Sequence, residues 1–170
     1  MATIRRALRP LLLGSRSSIA GSVYGVIVVM GTITAGSAGG AKSSWELAGV
    51  TAATVVVLWL AHVYSHGLGE SLEQGHTVTR GELADIARRE SSIPVAAAGP
   101  VLALVFGALG VLEQSTAGWV AIGIGVATLA AQGFRYARGE RMGRAGTVVA
   151  VSVNLALGLV IVALKALVTH

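Results

Sequence analysis

The chain has 170 residues, of which 54% are hydrophobic and only 12% are charged, and its mean hydropathy is +0.73. A soluble domain carries about 25% charged residues because its surface faces water. This composition therefore excludes an ordinary soluble enzyme or a free nucleic-acid-binding protein, and it predicts an integral protein of a lipid bilayer. The absence of cysteine excludes disulfides, iron–sulfur clusters and thiolate metal sites.

Five stretches of the chain are apolar over the roughly 20 residues that a helix needs to cross a bilayer. Each is hydrophobic on all sides rather than alternating, which favours helices over the strands of a membrane barrel. We therefore predict a single all-α membrane domain over residues 1–170, built as a bundle of five transmembrane helices. The predicted spans are residues 19–38, 46–66, 92–112, 118–136 and 146–168.

The positive charges predict the orientation of these spans. All 11 arginines lie before the first span, between the second and third, or at the connection of the fourth and fifth, whereas Lys42 and Lys165 belong to the other side. Because basic residues concentrate in inner loops, we expect the N-terminus inside and the C-terminus outside. The excess of Arg over Lys, together with abundant Gly, Ala and Val, is typical of GC-rich bacterial genomes. It predicts a multi-pass protein of a bacterial cytoplasmic membrane, whose first span is too long for a cleaved signal peptide.

The inner segment between spans two and three, residues 67–91, contains a helix start signal. Thr79 and Glu82 have the spacing of a capping box. We expect a short amphipathic helix over about residues 80–90, lying on the inner membrane surface.

Strongly polar side chains inside the spans are candidates for function, because burying them in lipid is costly. Tyr24, Gln132 and Asn154 all fall within about 12 Å of the predicted inner boundary. They come from three different spans, so we predict that they form a polar cluster or part of an ion pathway.

The pattern His62-x-x-x-His66-x-x-x-Glu70 places two imidazoles and a carboxylate along one stripe of a helix. Such a set can bind a divalent metal ion or relay a proton. The sequence therefore predicts a metal site at His62, His66 and Glu70, with the divalent ion as the one suggested cofactor. The alternative is that these histidines are merely wetted at the interface.

Small residues recur at helical spacing in two of the predicted spans. Gly21 and Gly25 lie in the first, and Gly118, Gly123 and Gly125 in the fourth. Such faces allow close helix packing, either inside a bundle or between subunits. We expect a homodimer or higher oligomer with the first or fourth span at the contact. Near the predicted outer end, Lys165 is expected to snorkel to the surface as an anchor.

The layout resembles the vacuolar iron transporter family, whose members are five-span homodimers with an inner N-terminus, an outer C-terminus and their main cytoplasmic segment between spans two and three. The run from Gly21 to Gly25 is similar in spacing to the Gly-x-x-Asp-Gly start of that family. The resemblance implies exchange of divalent metal ions, against protons. Tyr24 stands at the position of the family's metal-binding Asp, however, and the segment between spans two and three is too short for that family's metal domain. The chain is also similar to uncharacterised small multi-span membrane proteins of high-GC Gram-positive bacteria.

These observations predict an oligomeric transporter or channel for a small cation, either a divalent metal ion or a proton. The sequence contains no Walker A, GxSxG or HExxH motif and no visible nucleophile–base pair, so we do not expect an enzyme. The alternative is an accessory or structural subunit of a larger membrane complex that transports nothing itself.

Overall fold

The computed structural model describes residues 16–40 and 43–168. Every element in these two ranges is a helix, which confirms the predicted all-α class. In chain order the helices are α1 (Arg16–Ala38), α2 (Ser44–Gln74), α3 (Arg80–Arg89), α4 (Ser92–Ala108), α5 (Gln114–Gly139) and α6 (Arg144–Val168).

Four of these helices, α1, α2, α5 and α6, are long and apolar enough to cross a membrane. The apolar helix α4 has only 17 residues. Taken together with α3, from which it is bent by 48°, it brings the number of candidate spans to five. The described chain thus forms a helical bundle with four or five candidate membrane spans.

The centre of the bundle is α1, which packs against α2, α4, α5 and α6. Its buried side chains Val26, Val29, Met30 and Ile33 are fully shielded. Burial of such side chains stabilises a bundle in lipid through close packing, because lipid tails are themselves apolar. At the periphery, α6 packs on α5 and α1 and leaves most of its surface open.

Helix α2 continues beyond the predicted end of its span at residue 66, through Gly67 and Gly69, to Gln74. Its end is set by Gly75, whose φ of 70° allows its N–H to donate to the carbonyl of Ser71. Glycine inside a helix costs about 1 kcal/mol. Here the backbone at Gly67 is covered by Ile86 of α3, so tertiary packing outweighs the local penalty.

The predicted capping box at the start of α3 is confirmed. Thr79 Oγ1 accepts from the N–H of Glu82, and the Glu82 carboxylate accepts from the N–H of Thr79. These hydrogen bonds, first that from the backbone N–H and then that from the hydroxyl of Thr79, lower the pKa of Glu82 below its ordinary value. The helix is amphipathic as expected, with Ile86 buried against α2.

Most of the predicted small faces are used inside the bundle. A Cβ on Gly25 would lie 3.2 Å from the carbonyl oxygen of Ile93 on α4, and one on Gly125 would lie 2.6 Å from Sδ of Met30. Gly21 likewise faces α4, and Gly118 faces Lys165. Of the five glycines predicted at a subunit contact, Gly123 is the one with open space beside it.

The close approach of α5 and α6 at Gly133 is predicted to be sensitive to a single methyl group. A Cβ at Gly133 of α5 would lie 2.8 Å from the backbone oxygen of Ala150 and 3.0 Å from Cα of Val151, both on α6. We expect Gly133→Ala to push α6 outward and to lower the free energy of unfolding by about 1–3 kcal/mol. Unfolding in mild detergent, followed by circular dichroism, measures the change.

The matched control is Gly49→Ala, since Gly49 also lies inside a helix but has no atom within 4 Å of the added Cβ. Alanine there is expected to leave stability unchanged or to raise it by up to about 1 kcal/mol. Equal unfolding curves for the two variants would contradict the α5–α6 contact.

Candidate functional site

A row of four polar side chains runs along the end of the bundle where α3 lies. The ring of Tyr24 on α1 lies 5.2 Å, centroid to centroid, from that of His62 on α2. The rings of His62 and His66 are 6.3 Å apart. Nδ1 of His66 lies 3.2 Å from Oε1 of Glu90. We call Tyr24, His62, His66 and Glu90 the polar row.

The carboxylate of Glu90 is the most buried acidic group among the described residues, with a residue exposure of 7%. A buried ion costs several kcal/mol unless it is paired and hydrogen-bonded. The contact with His66 supplies such a partner, because one proton held between the imidazole and the carboxylate satisfies both groups. Reasoning from the sequence places Glu90 only among the acidic residues of the inner segment and misses it as a site residue.

The position of Glu90 follows from two local features. It caps the C-terminus of α3 and stands directly before the apolar helix α4. The carboxylate lies beside α1, where a Cβ on Gly21 would be 3.8 Å from Oε2 of Glu90, an ordinary contact distance. The available signal in the sequence is a carboxylate at the junction of an amphipathic helix and an apolar run.

A second oxygen faces the same point. The hydroxyl of Ser92 is buried without a hydrogen-bond partner, and a Cβ on Gly21 would lie 2.6 Å from it. Ser22 donates to the backbone carbonyl of Ser92 at 3.4 Å, which ties α1 to the start of α4. The hydroxyl of Ser92 and Oε2 of Glu90 thus both lie near Gly21 of α1.

The tautomer of His62 follows from its own helix. Nδ1 lies 3.0 Å from the carbonyl oxygen of Leu58. Because a carbonyl only accepts, Nδ1 must carry the proton, and the neutral ring then presents Nε2 as an acceptor. His62 is therefore chemically suited to receive a proton or a metal ion at Nε2.

The three predicted metal ligands lie on one continuous helix, but their side chains have different partners. Glu70 forms an ion pair with Arg89 across the α2–α3 contact, whereas His66 contacts Glu90. Within residues 16–40 and 43–168, no three His, Asp or Glu side chains are grouped closely enough to hold a metal ion. Of the neighbouring pairs in the polar row, His66 and Glu90 are the one that the described structure brings within 3.2 Å.

The predicted ion-pathway residues Tyr24, Gln132 and Asn154 line one groove of about 510 Å³ between α1, α5 and α6. Its other lining is mostly apolar. Gln132 is buried and accepts a hydrogen bond from Arg135, while Asn154 donates to the carbonyl of Ala150 on its own helix. Tyr24 belongs both to this groove and to the polar row.

At the opposite end of the bundle, the position of the Lys165 side chain differs from the prediction. Instead of snorkelling outward, this side chain is only 4% exposed. Its Nζ lies 5.1 Å from the centre of the Trp119 ring, a cation–π distance. The absence of a side chain at Gly118 leaves room for it, so the lysine is held inside the bundle beside a cavity of about 400 Å³.

Between the two ends lies an apolar layer. Val26, Val29 and Met30 of α1 pack against Ile122 and Leu129 of α5, all of them with at most 1% exposure. This layer separates the polar row from the cavity at Lys165.

Comparison of the chain with protein-family models, with curated proteins and with solved structures gives no match. A functional interpretation therefore depends on the chemistry of the polar row, and the resemblance to the vacuolar iron transporter family stays a prediction.

Proposed function

We propose that the protein is a small multi-pass membrane transporter or channel that moves protons or another small cation, and that it exchanges them on the cytoplasmic side through Glu90 and His66. One observation carries this proposal: a carboxylate with 7% exposure contacts an imidazole at the edge of an apolar bundle. Ionisable groups at such depth are costly, and in membrane proteins they often mark ion routes.

The exposures along the polar row support a proton rather than a preformed metal complex. His66 is exposed, so it can collect a proton from water and pass it to Oε1 of the buried Glu90. The other carboxylate oxygen and the buried hydroxyl of Ser92 both lie near Gly21 of α1. His62 extends the row along α2 to Tyr24. A divalent metal ion is the second cargo to test.

The apolar layer at Val26, Val29 and Met30 favours the alternative function, an accessory subunit of a larger complex. For transport, this layer must open in a second conformation, or a route must form where subunits meet. The transport proposal therefore includes an oligomer. We place the protein in a bacterial cytoplasmic membrane, with the end of the bundle that carries α3 on the cytoplasmic side.

The orientation is predicted to place the connection of α4 and α5 outside and that of α5 and α6 inside. The arginines near the second connection favour the inner side, including Arg135, Arg138, Arg141 and Arg144. The chain has no cysteine, so Glu113→Cys and Arg138→Cys each introduce one thiol. A membrane-impermeant maleimide should label the first variant in intact cells and the second only after permeabilisation. Labelling of both variants from outside would contradict the predicted topology.

The dimer is predicted to use the outer face of α5. Gly123, Ala127 and Ala131 are exposed and lie four residues apart on one face. We expect Gly123→Leu to raise the dissociation constant of the dimer at least about tenfold, which corresponds to ~1.4 kcal/mol. Mass measurement in mild detergent and in nanodiscs reports the oligomeric state. Gly49→Leu, at an open glycine of α2, is the control; a monomeric wild type in every environment would exclude the dimer.

Proton flux is predicted to depend on Glu90. In proteoliposomes with a trapped pH-sensitive dye and an imposed membrane potential, Glu90→Gln should cut the flux at least about tenfold, since the amide has no ionisable proton to exchange. His66→Gln should also lower it. Glu73→Gln is the matched control, because Glu73 is an exposed carboxylate near the end of α2. Thermal unfolding of each variant separates lost flux from lost folding.

The same vesicles, loaded with a metal-sensitive dye, test Mn²⁺ as cargo. If the vesicles show Mn²⁺ flux that requires His62 and His66 but show no proton flux, the cargo is a divalent metal ion and not the proton. Wild-type vesicles that match empty vesicles in both assays would favour the accessory-subunit function.

A further inference from the structure

The groove between α1, α5 and α6 has the polarity of a site for a lipid chain. Along α1 its wall extends from Ile19 to Ile27, about 12 Å of helix. The opposite walls are provided by α5 and α6, with Leu157 on the latter, and the groove opens to the side of the bundle. Tyr136 and Gln132 stand on its wall near the end where α5 leaves the bundle.

An arginine with an unused donor lies beside this end of the groove. Arg135 donates from Nη1 to Oε1 of Gln132 at 3.1 Å, so its guanidinium lies against the groove wall. Its Nε is buried and has no hydrogen-bond partner. This nitrogen is closed to a lipid headgroup as well, but the planar guanidinium fork also carries Nη2, and such a fork is shaped to bind the oxygens of a phosphate.

The surrounding charge is also positive. Arg138 follows one turn later and stacks over Phe134 at 5.2 Å, and Arg141 and Arg144 lie in the turn to α6. An apolar slot that ends in a group of arginines is complementary to an anionic amphiphile with an acyl chain.

We propose that this groove binds an anionic phospholipid, with an acyl chain along the α1 wall and its phosphate on Arg135. The proposal is independent of the transport function, because none of the polar row except Tyr24 lines the groove. It places the phosphate at the Arg135 guanidinium, next to Gln132 on the groove wall.

The test uses the full-length protein, extracted from nanodiscs of phosphatidylcholine with and without phosphatidylglycerol. Native mass spectrometry counts the lipids that each protein retains. Wild type should retain phosphatidylglycerol in preference to phosphatidylcholine. Arg135→Gln should weaken that retention roughly tenfold, as expected for loss of a charge-assisted hydrogen bond, and Arg135→Lys should weaken it less. Leu157→Trp, which fills the groove, should reduce retention of the lipid without changing the charge.

The comparison variant is Arg138→Gln, which removes one charge from the same group of arginines but not the hydrogen bond to Gln132, and it should weaken retention clearly less than Arg135→Gln does. Equal losses in Arg135→Gln and Arg138→Gln would mean diffuse attraction of charge and would overturn the proposal. It would also be overturned by a wild type without preference for phosphatidylglycerol, or by full retention of the lipid in Leu157→Trp. A change of oligomeric state in Leu157→Trp would assign the groove to a second copy of the chain instead. Thermal unfolding checks that each variant is folded.

Discussion

The contact between the buried carboxylate of Glu90 and the exposed imidazole of His66 is the interaction to which the other unusual features of this bundle relate. A carboxylate at the edge of an apolar bundle needs a partner, since its desolvation costs several kcal/mol. That partner is on α2, while Glu90 itself lies between α3 and α4. The contact therefore requires α2 to remain helical up to His66 and α3 to fold back against it. It also brings the start of α4 against α1, where a Cβ on Gly21 would lie 2.6 Å from the hydroxyl of Ser92.

Three further contacts hold α3 in the place that this pairing requires. Nε1 of Trp59 donates to the carbonyl of Ala87 at 3.2 Å, Glu70 pairs with Arg89, and Ile86 is buried against the backbone of Gly67. Exposed ion pairs contribute little by themselves, so the buried isoleucine and the tryptophan hydrogen bond account for most of the attachment. Together they hold a charged connection firmly against the membrane-facing bundle.

Local patterns in the sequence are sufficient to predict the helical class and the start of α3. The capping box depends on residues three apart, and apolar runs of sufficient length leave few alternatives to helices. Features that depend on distant contacts are not predictable in this way. Helix α2 extends past the predicted end of its span because α3 covers Gly67. Glu90 escapes notice because its burial and its contact with His66 arise from packing between segments that are distant in the sequence. The spacing of Gly21 and Gly25 likewise indicates close packing without indicating which helix is the neighbour, and it does not reveal that Gly118 admits Lys165.

The short length of α4 has a consequence for the surrounding membrane. Its 17 residues extend about 25 Å, less than the roughly 30 Å of a bilayer core. One side of α4 is open to lipid, at Val95, Leu102 and Phe106. A bilayer that meets a short hydrophobic surface becomes thinner there, at a fraction of a kcal/mol for each ångström. Such a dimple would begin next to the junction that carries Glu90, and it would bring headgroups and their water to the exposed imidazole of His66, which contacts the carboxylate.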